Sequence, residues 1–245
     1  MLSIALSELT QIFRNRLILL NSFIIPVAAC AFFVHQHETF ADLRSLGYIA
    51  AVVMFTVAAF GLYATTVTTL ASRRQTLFLK RLRSTPAGDA SILSGLTLPV
   101  TALALVQVTV ILAVLAVVAG EPDNVLLLAA AVLSTLIMML ALGLATAGLT
   151  NSPEHAQVTT LPVSLGAIAV VNWVAITGTE ELTLLKRLLP GGSATELVLN
   201  AWNGGVPVTE SLPLLLPTLA WVVVSVALAS RLFRWEPRCA SASSR

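Results

Sequence analysis

The chain has 245 residues, 57% of them apolar and only 11% charged, with a mean hydropathy of +0.90 and a net charge of +2. Soluble domains carry about 25% charged residues, so the composition excludes an ordinary soluble domain and points to an integral membrane protein. So small a net charge gives no reason to expect a nucleic-acid partner, and Cys30 and Cys239 fit neither a disulfide framework nor a metal-ligand spacing.

The first segment, Met1–Arg16, places Leu2, Ala5, Leu6, Leu9, Ile12 and Phe13 on one helical face and Ser3, Ser7, Glu8, Gln11 and Arg14 on the other. That pattern predicts an amphipathic interfacial helix, or else an extension of the first span. Glu8, Arg14 and Arg16 before the first apolar run, with no small-residue cleavage site, do not read as a secretory signal.

A bilayer-spanning helix needs about 20 mostly apolar residues. Six runs qualify: 17–34, 47–71, 92–119, 125–149, 158–177 and 214–233. Alternation is absent, so helices rather than a closed barrel satisfy the backbone in lipid. The expected fold is an all-α membrane protein of six transmembrane helices, one transmembrane domain over 1–245.

Eleven of the fourteen Lys and Arg residues fall on one side if the N-terminus is inside; only Arg44, Lys186 and Arg187 fall on the other. The bias predicts that both termini face the cytoplasm. Eight of the twelve acidic residues lean outward, among them Glu121, Asp123, Glu180, Glu181 and Glu196.

The longest cytoplasmic loop holds five basic residues, Arg73, Arg74, Lys80, Arg81 and Arg83. Over Thr76–Arg83 these mix with Leu77, Phe78 and Leu82, which predicts a short helix that stops at Thr85-Pro86. Asp89 is placed to cap the helix that follows. A topology signal alone has no use for the apolar residues. The segment therefore reads as a docking element, with a solvated basic loop as the alternative.

Between the third and fourth spans lies a tight turn, Gly120–Asn124. Thr150–Gln157, with Asn151, Ser152, Pro153 and Glu154, reads as a second cytoplasmic turn that could be a hinge or a plain connector. In the last outer segment, Pro190-Gly191-Gly192-Ser193 breaks the chain. Ser193 with Glu196 three residues on fits a capping box, starting a short helix through Leu197–Trp202 that dips into the outer interface.

Several chemistries fail on spacing. None of the thirteen glycines precedes a lysine, so no phosphate-binding loop of the Gly-Lys-Ser/Thr kind exists. His35 and His37, two apart, make a poor metal pair. Glu180-Glu181…Arg187 has the wrong spacing for a Glu-Glu-x-x-x-Arg protease motif. No ionisable residue lies near a span centre, which disfavours a membrane enzyme or an ion-coupled carrier. The polar residues within the spans are uncharged: Gln107, Ser134, Thr135, Asn172 and the cluster Thr65–Thr69. Interhelical hydrogen bonding accounts for most of them; Thr65, Thr69 and Asn172 are candidates to line a path.

The whole chain resembles the type-2 permease family of ABC exporters, the membrane subunits of bacterial drug, polysaccharide and lipid exporters. Four places carry the likeness: the amphipathic N-terminal helix; Leu79-Lys-Arg-Leu-Arg-Ser-Thr-Pro86, similar to a Leu-x-x-Thr-Pro element after the second span; the junction Gly143…Thr150-Asn-Ser-Pro…Ala156; and the outer Leu188-Leu-Pro-Gly-Gly-Ser-Ala-Thr-Glu196, similar to a re-entrant segment. The ending Arg231–Glu236 looks like actinobacterial members. The family's second Pro in the outer segment is missing, and Gly191-Gly192-Ser193 stands there instead.

The resemblance implies a dimer of two permease copies, identical or not, docked to two separate ATPase subunits that bind ATP and Mg. The chain itself would bind no cofactor and catalyse nothing. Leu77, Phe78, Lys80, Arg81, Leu82, Arg83, Thr85 and Pro86 would form the coupling helix, with the N-terminal helix as a second contact. A path would open outward between the second and fifth spans of the two protomers for a hydrophobic or amphipathic cargo such as a drug, antibiotic or lipid. The same fold serving as a regulatory or sensor subunit is the other implied reading.

Overall fold

The computed structural model describes residues 23–36, 38–39, 45–84 and 88–232, together with Thr10 and Arg16. Every element among them is helical. We number the helices α1 (Ile25–His35), α2 (Leu46–Gln75), α3 (Phe78–Arg83), α4 (Asp89–Ala119), α5 (Val125–Leu149), α6 (Pro153–Thr177), α7 (Thr183–Leu188), α8 (Gly192–Asn203) and α9 (Val208–Leu232).

Five of these, α2, α4, α5, α6 and α9, are long and apolar enough to cross a membrane. The chain is thus a multi-pass membrane protein. The first expected span, 17–34, is represented by the 11-residue α1 with Phe23 and Ile24 before it, and residues 17–22 lie outside the described residues. The expected N-terminal amphipathic helix lies outside them too, apart from Thr10 and Arg16, as do His37, Thr85, Pro86 and the ending after Leu232.

The bundle is built around α2. Its most apolar window is 89% buried, against 33% for α4, 28% for α6 and 17% for α9. A helix that is apolar all round belongs in the middle of a bundle. Helices α1, α4, α5, α6 and α8 pack around α2, and α9 lies on α5.

The centre of α2 is wound as a π-helix over Val57–Ala64, with α-helix on either side. Such a widened turn leaves carbonyls in need of donors. Thr65 Oγ1 donates to the carbonyl of Phe60, five residues back, at 3.2 Å, and Ser164 Oγ of α6 reaches the carbonyl of Ala59 at 3.5 Å. The neighbouring helix therefore helps to hold the irregular turn.

Several boundaries differ from those the sequence predicts. The turn expected over Thr150–Gln157 shrinks to Thr150–Ser152: Ser152 Oγ accepts from the His155 N–H at 3.3 Å, and Pro153 takes the first helical position, which needs no donor. Asp89 is not a cap. Gly88 occupies the cap position without a side-chain bond, while Asp89 pairs with Arg83 Nε at 3.4 Å. Nor does Ser193 cap α8. That helix begins at Gly192, runs to Asn203 and is buried along most of its length, so it is longer and deeper than a short interfacial turn. The last span also starts earlier, at Val208, through a 3-10 turn at Leu212–Leu214.

Candidate functional site: the two ends of the bundle

At one end of the bundle, α2 runs out into the basic segment. The chain breaks at Thr76 and Leu77, where Leu77 takes a left-handed φ of 57°. A leucine in that region is uncommon and marks a backbone held by its surroundings. The restart, α3, is anchored by Leu79, which is fully buried in a small cluster with Leu70, Ile92, Leu96 and Ala147. Phe78 and Leu82 pack against the same cluster, and the Arg73 guanidinium sits 5.4 Å from the Phe78 ring centre.

The expectation that Leu77, Phe78 and Leu82 all point outward to a partner is therefore corrected. Only Leu77 of the three is exposed, because Phe78 and Leu82 lie on the helical face that Leu79 pulls inward. The outer face of α3 carries Lys80, Arg81 and Arg83, all exposed. Arg81 Nη2 donates to the carbonyl of Thr76 at 3.3 Å, closing the break. The sequence reading gave no inward role to Leu79 or to Arg74, which is 4% exposed. The Leu79–Leu82 pair, one helical turn apart, is the signal for the buried face.

Close by, Thr150 Oγ1 bonds Thr159 Oγ1 at 2.9 Å, fixing the start of α6 to the end of α5. Asn151 and Glu154 are exposed there, and Ser152 and Pro153 are half-buried. The loop between these spans is thus short and anchored.

The opposite end is held by α7 and α8. Gly191 has φ +97°, and a β-carbon on Gly192 would sit 1.7 Å from the Lys186 carbonyl oxygen, so both positions require glycine. Pro190 precedes them, half-buried. Ser193 Oγ, expected as a cap, instead bonds Thr218 Oγ1 of α9 at 3.1 Å. Glu196 accepts Arg187 Nε at 2.7 Å and Nη2 at 2.6 Å, and the Thr179 hydroxyl at 3.0 Å. The bond to Glu196 raises the Arg187 pKa further above its ordinary value.

Lys186 is 2% exposed. Its Nζ donates to Thr177 Oγ1 at 2.8 Å and the Gly178 carbonyl at 2.6 Å, and lies 5.2 Å from the Trp173 ring centre. A cation at the C-terminal end of α6 complements the helix dipole, so the burial has a physical basis.

Between the ends, polar links join helices inside the bundle. Tyr48 Oη donates to Asn172 Oδ1 at 2.8 Å, tying α2 to α6, and Tyr63 Oη lies 3.1 Å from Thr146 Oγ1 on α5. Thr65 and Thr69 face the chain's own interior, 1% and 4% exposed. Thr69 Oγ1 and both polar atoms of Gln107 have no hydrogen-bond partner among the described residues. His35 is exposed, and no group of three His, Cys, Asp or Glu side chains suited to a metal occurs among the described residues.

The geometry is that of an apolar helical bundle with a cationic, inwardly anchored short helix at one end and a hydrogen-bonded clasp at the other. A family model described as "ABC-2 family transporter protein" matches residues 6–231. No curated protein matches the chain.

Proposed function

The chain belongs to the ABC-2 transporter family, and from that premise we propose that it is the membrane subunit of an ATP-driven exporter for a hydrophobic or amphipathic cargo. ATP and Mg bind on a separate ABC ATPase, two copies of which meet a pair of permease subunits. Both termini and α3 face the cytoplasm; α7 and α8 face outward, as the bias of basic residues favours.

The observation that carries this reading is the build of α3. It is fastened to the base of the central helix through Leu79 and offers Leu77, Lys80, Arg81 and Arg83 outward. A push on α3 is thereby delivered to α2, the helix around which α1, α4, α5, α6 and α8 pack. The cargo path runs along α2 and α6. Its polar groups Thr65, Thr69 and Asn172 become accessible when the two helices part, which breaks the Tyr48–Asn172 and Ser164–Ala59 bonds.

The test is purification of the tagged full-length chain from its native membranes. An ABC ATPase should come with it, and the complex in vesicles should hydrolyse ATP and move amphipathic probes outward. A chain that purifies with no ATPase, or a complex that only imports, overturns the proposal.

A further inference from the structure

Helices α4 and α5 are joined by the loop 120–124, and a groove of about 620 Å³ lies beside that loop, between them. Leu105, Val108 and Leu112 of α4 form one wall, Leu128 and Val132 of α5 the other. Trp202 of α8, 4% exposed, also lines it. The rim is open: Val117 is 87% exposed and Val125 65%. In a bilayer that opening faces hydrocarbon. From Leu105 to Val117 the groove follows α4 for about 18 Å at 1.5 Å per residue, close to the ~15 Å depth of one leaflet's hydrocarbon.

The mouth of the groove is fixed. The Asp123 N–H donates to the Trp202 carbonyl at 3.3 Å, and the Asn124 N–H to that of Ala201 at 2.9 Å. Asn124 Oδ1 accepts the Leu127 N–H at 2.9 Å. The loop is thereby laced to the end of α8, and exposed Glu121 stands at the groove's mouth with Asp123 beside it. No lysine or arginine occurs anywhere between Arg83 and Lys186. Among the described residues, no lysine or arginine lines the groove or stands on α4, α5 or the loop, so the groove's own lining is anionic at the mouth.

We infer that this groove is a lipid site, holding one acyl chain of an ethanolamine phospholipid with its ammonium beside Glu121. Chain length selects a leaflet lipid over a compact solute, and the carboxylate selects an amine headgroup over an anionic one. The identity of the leaflet rests on the orientation proposed above; the groove does not.

The probes are brominated phosphatidylethanolamine and brominated phosphatidylglycerol in vesicles holding the full-length chain. The difference between wild type and Trp202→Phe isolates the quenching of Trp202. The ethanolamine lipid should quench it at a mole fraction about five-fold lower than the glycerol lipid. Glu121→Gln should remove that preference while both lipids still quench. Ala129→Phe, which fills the groove, should reduce quenching by both. Equal quenching by the two lipids in wild type, or an unchanged Ala129→Phe, overturns the inference. Native mass spectrometry of wild type taken from mixed vesicles gives an independent reading: one retained ethanolamine lipid per chain supports the site, and none or a glycerol lipid sinks it. Labelling of Glu121→Cys by an impermeant thiol reagent, scored above the parent protein, reports the side of the mouth. A wrong orientation leaves the lipid result standing.

Discussion

Arg187 grips Glu196 with two nitrogens, Nε at 2.7 Å and Nη2 at 2.6 Å, and so locks α7 against α8 across the turn that glycines 191 and 192 make possible. Only a planar guanidinium can make this fork. Arg187→Lys keeps the charge and loses the second bond. It should lower the apparent melting temperature in detergent, by an amount equivalent to about 1 kcal/mol once the partial exposure of the arginine is allowed for. Glu196→Gln should do the same. Wild-type melting in both variants would show that the fork holds nothing.

Gly192 and Gly166 make a matched pair for a steric test. A methyl group on Gly192 meets the Lys186 carbonyl, whereas one on Gly166 meets nothing within 4 Å. Gly192→Ala should cut the folded yield sharply, because the atom in the way is backbone. Gly166→Ala should leave the yield unchanged or improve it, since alanine favours helix by up to about 1 kcal/mol. Equal yields from the two would refute the close approach at Gly192.

Thr135 is wholly buried in α5, and its hydroxyl has no partner among the described residues. An orphaned hydroxyl costs about 1–3 kcal/mol, and valine has nearly the same shape. Thr135→Val should therefore raise the melting temperature with transport retained. A fall would mean that the hydroxyl has a partner in the working protein.

Under the proposed function, the two faces of α3 separate docking from folding. Lys80→Glu with Arg81→Glu should abolish ATPase retention on purification while membrane insertion and melting stay near wild type. Leu79→Asp should lower both, since it places a charge in the cluster with Leu70 and Ile92. Phe78→Asp is a poor test of docking alone, because Phe78 also packs inward. Full ATPase retention by the double charge reversal would move the docking site elsewhere.

Much of this architecture was legible in the sequence. The fourth span, Val125–Leu149, ends where the apolar run ends, because an asparagine cap and a polar turn bracket it. The inward side of α3 was harder to read. Apolar residues at 77, 78, 79 and 82 fit more than one helical phase, and the left-handed Leu77 that sets the phase leaves no mark in composition. The burial of Lys186 was hidden for a different reason. Its partners, Thr177, Gly178 and Trp173, come from the end of another helix, and only the fold brings them together. The Ser193–Glu196 spacing fitted a capping box, yet Arg187 and Thr218 claimed the two side chains through tertiary contacts.

The π segment at Val57–Ala64 also changes how α2 should be counted. Each widened turn holds about one residue more than an α turn, so the stretches Leu46–Thr56 and Thr65–Gln75 do not share one helical wheel. A face drawn through Tyr48 at 3.6 residues per turn does not continue onto the face that carries Thr69. Alignments or engineered substitutions along this helix therefore need two phases, joined by a slip. Shortening the chain by one residue within 57–64 shifts that join, while the same deletion at residue 52 or 70 would scramble a whole face.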